Sequence, residues 1–170
     1  MKRPEDEQVY AFFDARGVDM DSHGAVFTAI RAASVMANTM EEQALRPFGL
    51  THAGYRVLSE LWIKGALELR DLAAFMMVSR PSIVGTVDTL EANGLVERTR
   101  LESDRRLVQV AITKQGTECI EHADAAWHAA QVQVTSGLSA AEKRQLAELN
   151  NRVFEAALRL RSEGAAVEGR

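Results

Sequence analysis

A single cysteine, Cys119, stands among 170 residues, so no disulfide closes within the chain. A lone thiol of this kind points to a reducing compartment. No apolar run approaches the ~20 residues that cross a bilayer. The first residues, MKRPEDEQVYAFFDARG, are acidic and lack the continuous apolar stretch of a signal peptide. The expectation is a cytoplasmic protein with no membrane partner. Proline is scarce, with three in the chain, and two of them mark helix boundaries. Pro47 follows one long helical stretch, and Pro81 falls in a first turn, where no N–H partner is lost. Positive charge is also short. The net charge is −4, which argues against a general nucleic-acid binder but leaves room for a local basic patch.

Catalytic and metal-binding patterns are missing as well. The four histidines (23, 52, 122 and 128) are scattered. No HExxH, no CxxC, no phosphate loop and no nucleophile–base pair can be drawn. Cys119 with His122, and Asp124 with His128, fall at helical spacing and read as surface residues, not as metal ligands. Glu118 and Glu121 beside Cys119 would raise its pKa, which disfavours a redox role. The expectation is no enzyme, no metal and no resident cofactor.

What is present is helical periodicity, interrupted once. Residues 1–21 are polar around Tyr10, Phe12 and Phe13, and read as a short helix or an arm that packs on a partner. From 23 to 45, Val26, Ile30, Ala33, Ala37 and Met40 recur at three- and four-residue spacing, with Asp21-Ser22 as cap. Pro47-Phe48-Gly49 stops this helix. Thr51 caps a second one, with Tyr55, Leu58, Leu61 and Trp62 on its apolar face, and Gly65 ends it. Two short helices follow, Leu69 to Phe75 and Ser79 to Asn93. The second carries Ile83, Val87 and Leu90 on one face, and Asn93-Gly94 is its stop.

The interruption comes next. Leu95 to Thr99 and Leu107 to Ile112 read as two strands joined by a charged tip, RLESDRR. Helices resume at Thr113 and at Ser139, where Ser139-x-x-Glu142 forms a capping box. The residues from 164 to 170 read as a frayed tail.

This order gives the fold class: mainly α with a small β-wing, a winged helix-turn-helix domain plus N- and C-terminal dimerisation helices. The expected divisions are an N-terminal extension over 1–21, a dimerisation region from 22–47 and 114–163, and the winged domain over 50–113. Small or polar residues on the outer face of the 79–93 helix are candidates for DNA contact: Ser79, Arg80, Pro81, Ser82, Val84 and Gly85. Between Ser79 and Lys114 there are six Lys/Arg against five Asp/Glu, so the acidic excess lies elsewhere. Arg98, Asp104, Arg105 and Arg106 complete the candidates.

The run from Gly49 to Gly116 resembles the MarR family of winged-helix transcription regulators. Leu50-Thr51 with Tyr55-Arg56-Val57-Leu58, Asp71-Leu72-Ala73, VDTLEANGLVER, and Asp104-Arg105-Arg106 followed by Ile112-Thr113-x-x-Gly116 carry the likeness. The Gly137-Leu138-Ser139 opening of the last helix also fits, and the resemblance extends over about residues 23–162. It implies a homodimer that binds double-stranded DNA at a near-palindromic operator, with Arg106 in the minor groove and Asp104 bracing it. It implies a small aromatic or phenolic effector held between the dimer helices and the winged domain. By position, Arg16, His23, Arg31, Tyr55 and Arg56 are the candidates for that site.

Two departures stand out. Many members of the family carry Thr-Arg where this chain has Val84-Gly85, and an arginine where it has Thr89. Glu68 replaces the usual Thr or Ser cap. The recognition-helix departure leaves open a second class of function, a winged module that works through protein–protein contact.

Overall fold

The structure, a computed structural model, describes residues 4–100 and 108–168. Asp104, Arg105 and Arg106 therefore lie outside the described residues. The chain divides into two compact units, residues 1–128 and 129–170.

The first unit opens with α1 (Pro4–Asp14) and α2 (Met20–Met40). The N-terminal extension is thus a helix. Asp19 caps α2, accepting from the Asp21 and Ser22 N–H groups at 3.1 and 3.3 Å, so the cap lies two residues before the position expected from Asp21-Ser22. The long helix anticipated as far as residue 45 changes character near its end. Glu41–Leu45 widen into a π turn, and Arg46–Phe48 tighten into a 3₁₀ turn. The change has a use: Ala44 and Leu45 are buried, and Glu41 accepts the His52 backbone N–H at 2.8 Å.

Helix α3 (His52–Lys64) starts at Thr51, whose hydroxyl accepts the Gly54 N–H at 3.1 Å. A short strand β1 (Leu67–Glu68) follows, which the sequence reading did not anticipate. Then come α4 (Leu69–Met76) and α5 (Arg80–Ala92). Glu68 stands at the start of α4 without capping it through its side chain. It pairs instead with Arg70 at 2.8 Å.

Strands β2 (Val96–Arg100) and β3 (Val108–Ile112) are antiparallel, with Val96 opposite Ile112 and Arg98 opposite Val110. β1 adds to the other edge of β3, giving the order β1-β3-β2. The core gathers where the three helices meet this sheet: Leu58, Leu61, Leu72, Ile83, Val87 and Val110 are all within 1 % of full burial. Each such side chain contributes about 1.5–3 kcal/mol. α6 (Lys114–Val134) carries Ile120 and Ala123 into the same core.

The second unit contains the end of α6 and α7 (Ala140–Glu168). The capping box forms: Glu142 accepts the Ser139 N–H at 2.8 Å, and Ser139 Oγ accepts the Glu142 N–H at 3.3 Å. The Ser139 hydroxyl also donates to the Glu142 carboxylate at 2.6 Å, and this bond, together with that from the Ser139 N–H, favours the ionised form and lowers the Glu142 pKa. The helix continues to Glu168, past the residue-164 boundary expected from the tail's composition. Among the described residues no helix is long and apolar enough to cross a membrane.

Candidate nucleic-acid interface

Helix α4 ends at Met77, the one non-glycine residue described with a positive φ (φ 55, ψ 36). The chain reverses there. The Met77 and Val78 N–H groups bond back to Ala74 and Ala73 at 3.1 Å each, and Ser79 opens α5. Ser79 Oγ accepts the Ser82 N–H at 3.4 Å. Pro81 sits in the first turn. Ile83, Val87 and Leu90 face inward at 3 % exposure or less. That periodicity forces the other face outward: Arg80, Pro81, Ser82 and Gly85 are exposed, and Val84 is half-buried. The tight turn and the outward set together form a helix-turn-helix with a small, weakly charged outer face.

Two hydroxyls on this face are turned back on the helix. Thr86 Oγ1 donates to the Ser82 carbonyl at 3.1 Å, and Thr89 Oγ1 donates to that of Gly85 at 3.0 Å. Each keeps acceptor capacity outward. Gly85 is exposed, and a Cβ built on it meets nothing. Protein packing therefore does not require a glycine there. Beside it, a groove of about 310 Å³ runs between α5 and the first turn of α3.

Arg98 has surroundings unlike those expected of a free DNA contact. Its guanidinium pairs with Asp88 and Glu91, both at 2.6 Å, and its side chain is 22 % exposed. Sequence reasoning missed this arrangement, although Glu91 and Arg98 stand seven residues apart across the Asn93-Gly94 turn with opposite charges.

The base of the hairpin is held as firmly. Thr113 Oγ1 donates to the Gly94 carbonyl at 2.7 Å and accepts the Gly116 N–H at 2.9 Å. A Cβ on Gly116 would run into the Leu95 carbonyl oxygen and stand 2.8 Å from Ile112. The Thr-x-x-Gly spacing is thus a backbone-on-backbone contact between α6 and the start of the hairpin.

The five candidate effector residues fall into two separate groups. Arg16, His23 and Arg31 belong to α1 and α2. Arg16 lies 3.4 Å over the Phe12 ring. His23 packs among Tyr10, Phe13 and Phe27, with its Nε2 buried and unbonded. Beside it opens an apolar groove of about 450 Å³ bordered by Val18, Val26 and Ile30. Tyr55 and Arg56 are on α3. Tyr55 is buried, and its hydroxyl donates to Asp124 at 2.7 Å. Burial and this carboxylate push its pKa up to about 12. Trp127 covers the same spot, stacked on His52 at 5.2 Å and tilted over Tyr55 at 5.1 Å. Asp124 also lies 3.3 Å from His128 Nε2, so the two residues at that helical spacing are in contact. Cys119 is half-buried with its thiol near the Phe48 carbonyl at 3.8 Å. Its pKa is raised, by burial and not by the neighbouring glutamates.

The family model described as MarR family matches residues 50–108, from the residue before the α3 cap to the first residue of β3. A curated relative, the uncharacterized HTH-type transcriptional regulator YwaE of Bacillus subtilis, is 29% identical over 125 residues, 74% of this chain and 73% of that protein. Sco3205, a MarR family transcriptional regulator from Streptomyces coelicolor solved in complex with DNA, superposes with a TM-score of 0.75 at 25% identity, over 82% of this chain and 89% of that one. CouR from Rhodococcus jostii RHA1, solved with p-coumaroyl-CoA bound, gives a TM-score of 0.66 at 28% identity over 76% and 90% of the two chains.

Proposed function

We propose that the chain is a member of the MarR family of transcriptional regulators, whose model matches its winged domain, and that it is a homodimeric cytoplasmic repressor of a near-palindromic operator, released by a small aromatic or phenolic effector. It is a regulator and not an enzyme. The observation that carries the DNA reading is α5 itself. One face is buried to completion, while its first two turns present Arg80, Ser82 and a bare Gly85 backbone to solvent. A helix with that division of faces suits a major groove, where small side chains and a helix N-terminus approach bases and phosphates closely. Val84 is placed to meet a thymine methyl. In this reading Arg106 is the residue for the adjacent minor groove and Asp104 its brace, as the resemblance to the family implies.

Dimerisation is supported in each unit separately. On α2, Val26, Phe27 and Ile30 are 40–62 % exposed. On α7, Leu146, Leu149, Val153 and Phe154 are 45–52 % exposed at helical spacing. Apolar stripes of that size call for a partner, and a second copy supplies one with matching symmetry. An aromatic effector suits the His23 groove, which offers ring faces and apolar walls. Such a ligand weakens DNA binding only by preferring the dimer whose recognition helices are mis-spaced, and a few kcal/mol of preference is enough.

Fluorescence anisotropy of the full chain on duplexes selected from a random-sequence pool, and on its own upstream region, tests the reading. Salt-dependent, sequence-specific binding by a dimer is expected. A monomer, or the absence of any preferred duplex at moderate salt, overturns it in favour of a protein-binding module. A thermal-shift screen with aromatic acids and phenols, followed by anisotropy with the hits, tests the effector.

A further inference from the structure

We propose that Arg98 is a positioning residue that locks the recognition helix to the wing, and that it does not itself contact DNA; this rests on the DNA reading above. The guanidinium spans two turns of α5. Nη2 meets Asp88 at 2.6 Å and approaches the Val84 carbonyl at 3.4 Å, while Nη1 meets Glu91 at 2.6 Å. The Arg98 backbone N–H donates to the other Glu91 oxygen at 3.2 Å. Glu91 therefore holds both the main chain and the side chain of one β2 residue. Val84, Asp88 and Glu91 follow one another at four- and three-residue spacing, so they form a single stripe on α5. That stripe lies between the buried face and the exposed one.

A fork gripping such a stripe fixes two quantities. It sets the rotation of α5 about its own axis, and it sets the slide of α5 along β2. Both matter because β2 leads directly into residues 101–107. If α5 reads a major groove while the wing occupies the minor groove beside it, their relative placement decides whether both fit one duplex. The pairing also offsets negative charge. Asp88 is 57 % exposed and Glu91 39 %, and without Arg98 two uncompensated carboxylates would border the face turned toward phosphates. Arginine is suited to this task because its planar donors reach two carboxylates at once, whereas a lysine ammonium serves as a point charge.

The lock and a direct contact make opposite predictions for Glu91→Gln. As a DNA contact, Arg98 would be partly freed by that change, with Asp88 alone still pairing it, so specific binding would hold or tighten and the salt slope would steepen by up to ~0.9. As a lock, it would lose its anchor. Specific affinity is then expected to fall about tenfold, the size of one charged hydrogen bond, with non-specific binding and the salt slope unchanged. Arg98→Lys keeps the charge but not the fork, and should show the same loss of specific-to-non-specific ratio.

The measurement is anisotropy of wild type, Glu91→Gln and Arg98→Lys on a pool-selected duplex and on a scrambled duplex. Salt is varied, at a temperature where circular dichroism shows all three folded. A preserved ratio in both variants overturns the proposal. Hydrogen exchange of the residue 96–100 amides without DNA reads the lock independently. Faster exchange at Arg98 in Glu91→Gln supports it, and unchanged exchange overturns it. Failure of the wild type to prefer any duplex would instead overturn the DNA reading, leaving the exchange result to stand by itself.

Discussion

Gly116 and Gly85 lie in the same winged fold, in opposite circumstances. At Gly116 the backbone of α6 presses on the Leu95 carbonyl, so no side chain fits. At Gly85 a Cβ meets only open space. The first glycine answers to the protein. The second answers to nothing within the described chain, and it weakens its helix by ~1 kcal/mol relative to alanine. The inner junction of the winged domain, where β2, α5 and the start of α6 meet, is over-determined by contact. The outer face of α5 around Gly85 is left open by the described residues.

The largest effect should come from filling the inner glycine. Gly116→Ala must push apart the hairpin base and α6, with a backbone oxygen in the way and no flexible side chain to yield. A loss of about 3 kcal/mol is expected, the upper range for overpacking, read as the shift in urea midpoint. A loss under a few tenths would show that the junction relaxes easily, and the comparison would collapse. Gly85→Ala should move stability the other way, by about +1 kcal/mol. If α5 meets DNA by close backbone approach, the same change should weaken specific binding by about an order of magnitude, the size of one lost base contact. A variant both more stable and equally tight on DNA would remove the reason for the glycine.

The same contrast explains what could be read from the sequence. The motifs that resemble the family are largely those of the inner junction. Asp88, Glu91 and Arg98 form the clamp, while Thr113 and Gly116 form the brace. Spacing reveals such residues because backbone geometry dictates them. Their partners are less legible: charge near a wing does not disclose that Arg98 pairs with Asp88 and Glu91. The π turn at Glu41–Leu45 and the two-residue strand β1 were invisible, since both arise from tertiary packing and not from local propensity. The effector residues were chosen by position alone, and they fall into two groups. One surrounds His23 and the other surrounds Tyr55, 32 positions further along the chain. No helical or strand period can show that separation.

Met77 sharpens the comparison at the α4–α5 turn. It is 45 % exposed and held at φ 55, a region that costs an L-residue roughly 1–2 kcal/mol. Glycine avoids that cost but loses more freedom on folding. Met77→Gly should therefore stabilise the domain by a net ~0.5–1 kcal/mol, read from thermal melts. A destabilised variant would mean that the Met77 side chain makes contacts worth more than the strain.

The smallest effect belongs to His52, on the inner side where α3 begins. Its ring stacks on Trp127, and burial, with the Arg56 charge adding and the Glu41 carboxylate opposing, lowers its pKa below the ordinary 6.5. The unfolded chain then takes up this proton at a higher pH than the folded one does. Stability from this group is full above about pH 6.5 and is lost as pH falls through the folded value. His52→Phe keeps an aromatic ring against Trp127 and removes the titration. Between pH 7.5 and pH 5.5 the wild-type urea midpoint should drop further than that of the variant. Equal drops would place the pH sensitivity elsewhere. A steeper drop in the variant would mean that the folded state favours the charged ring, and that Glu41, not burial, sets the balance at the head of α3.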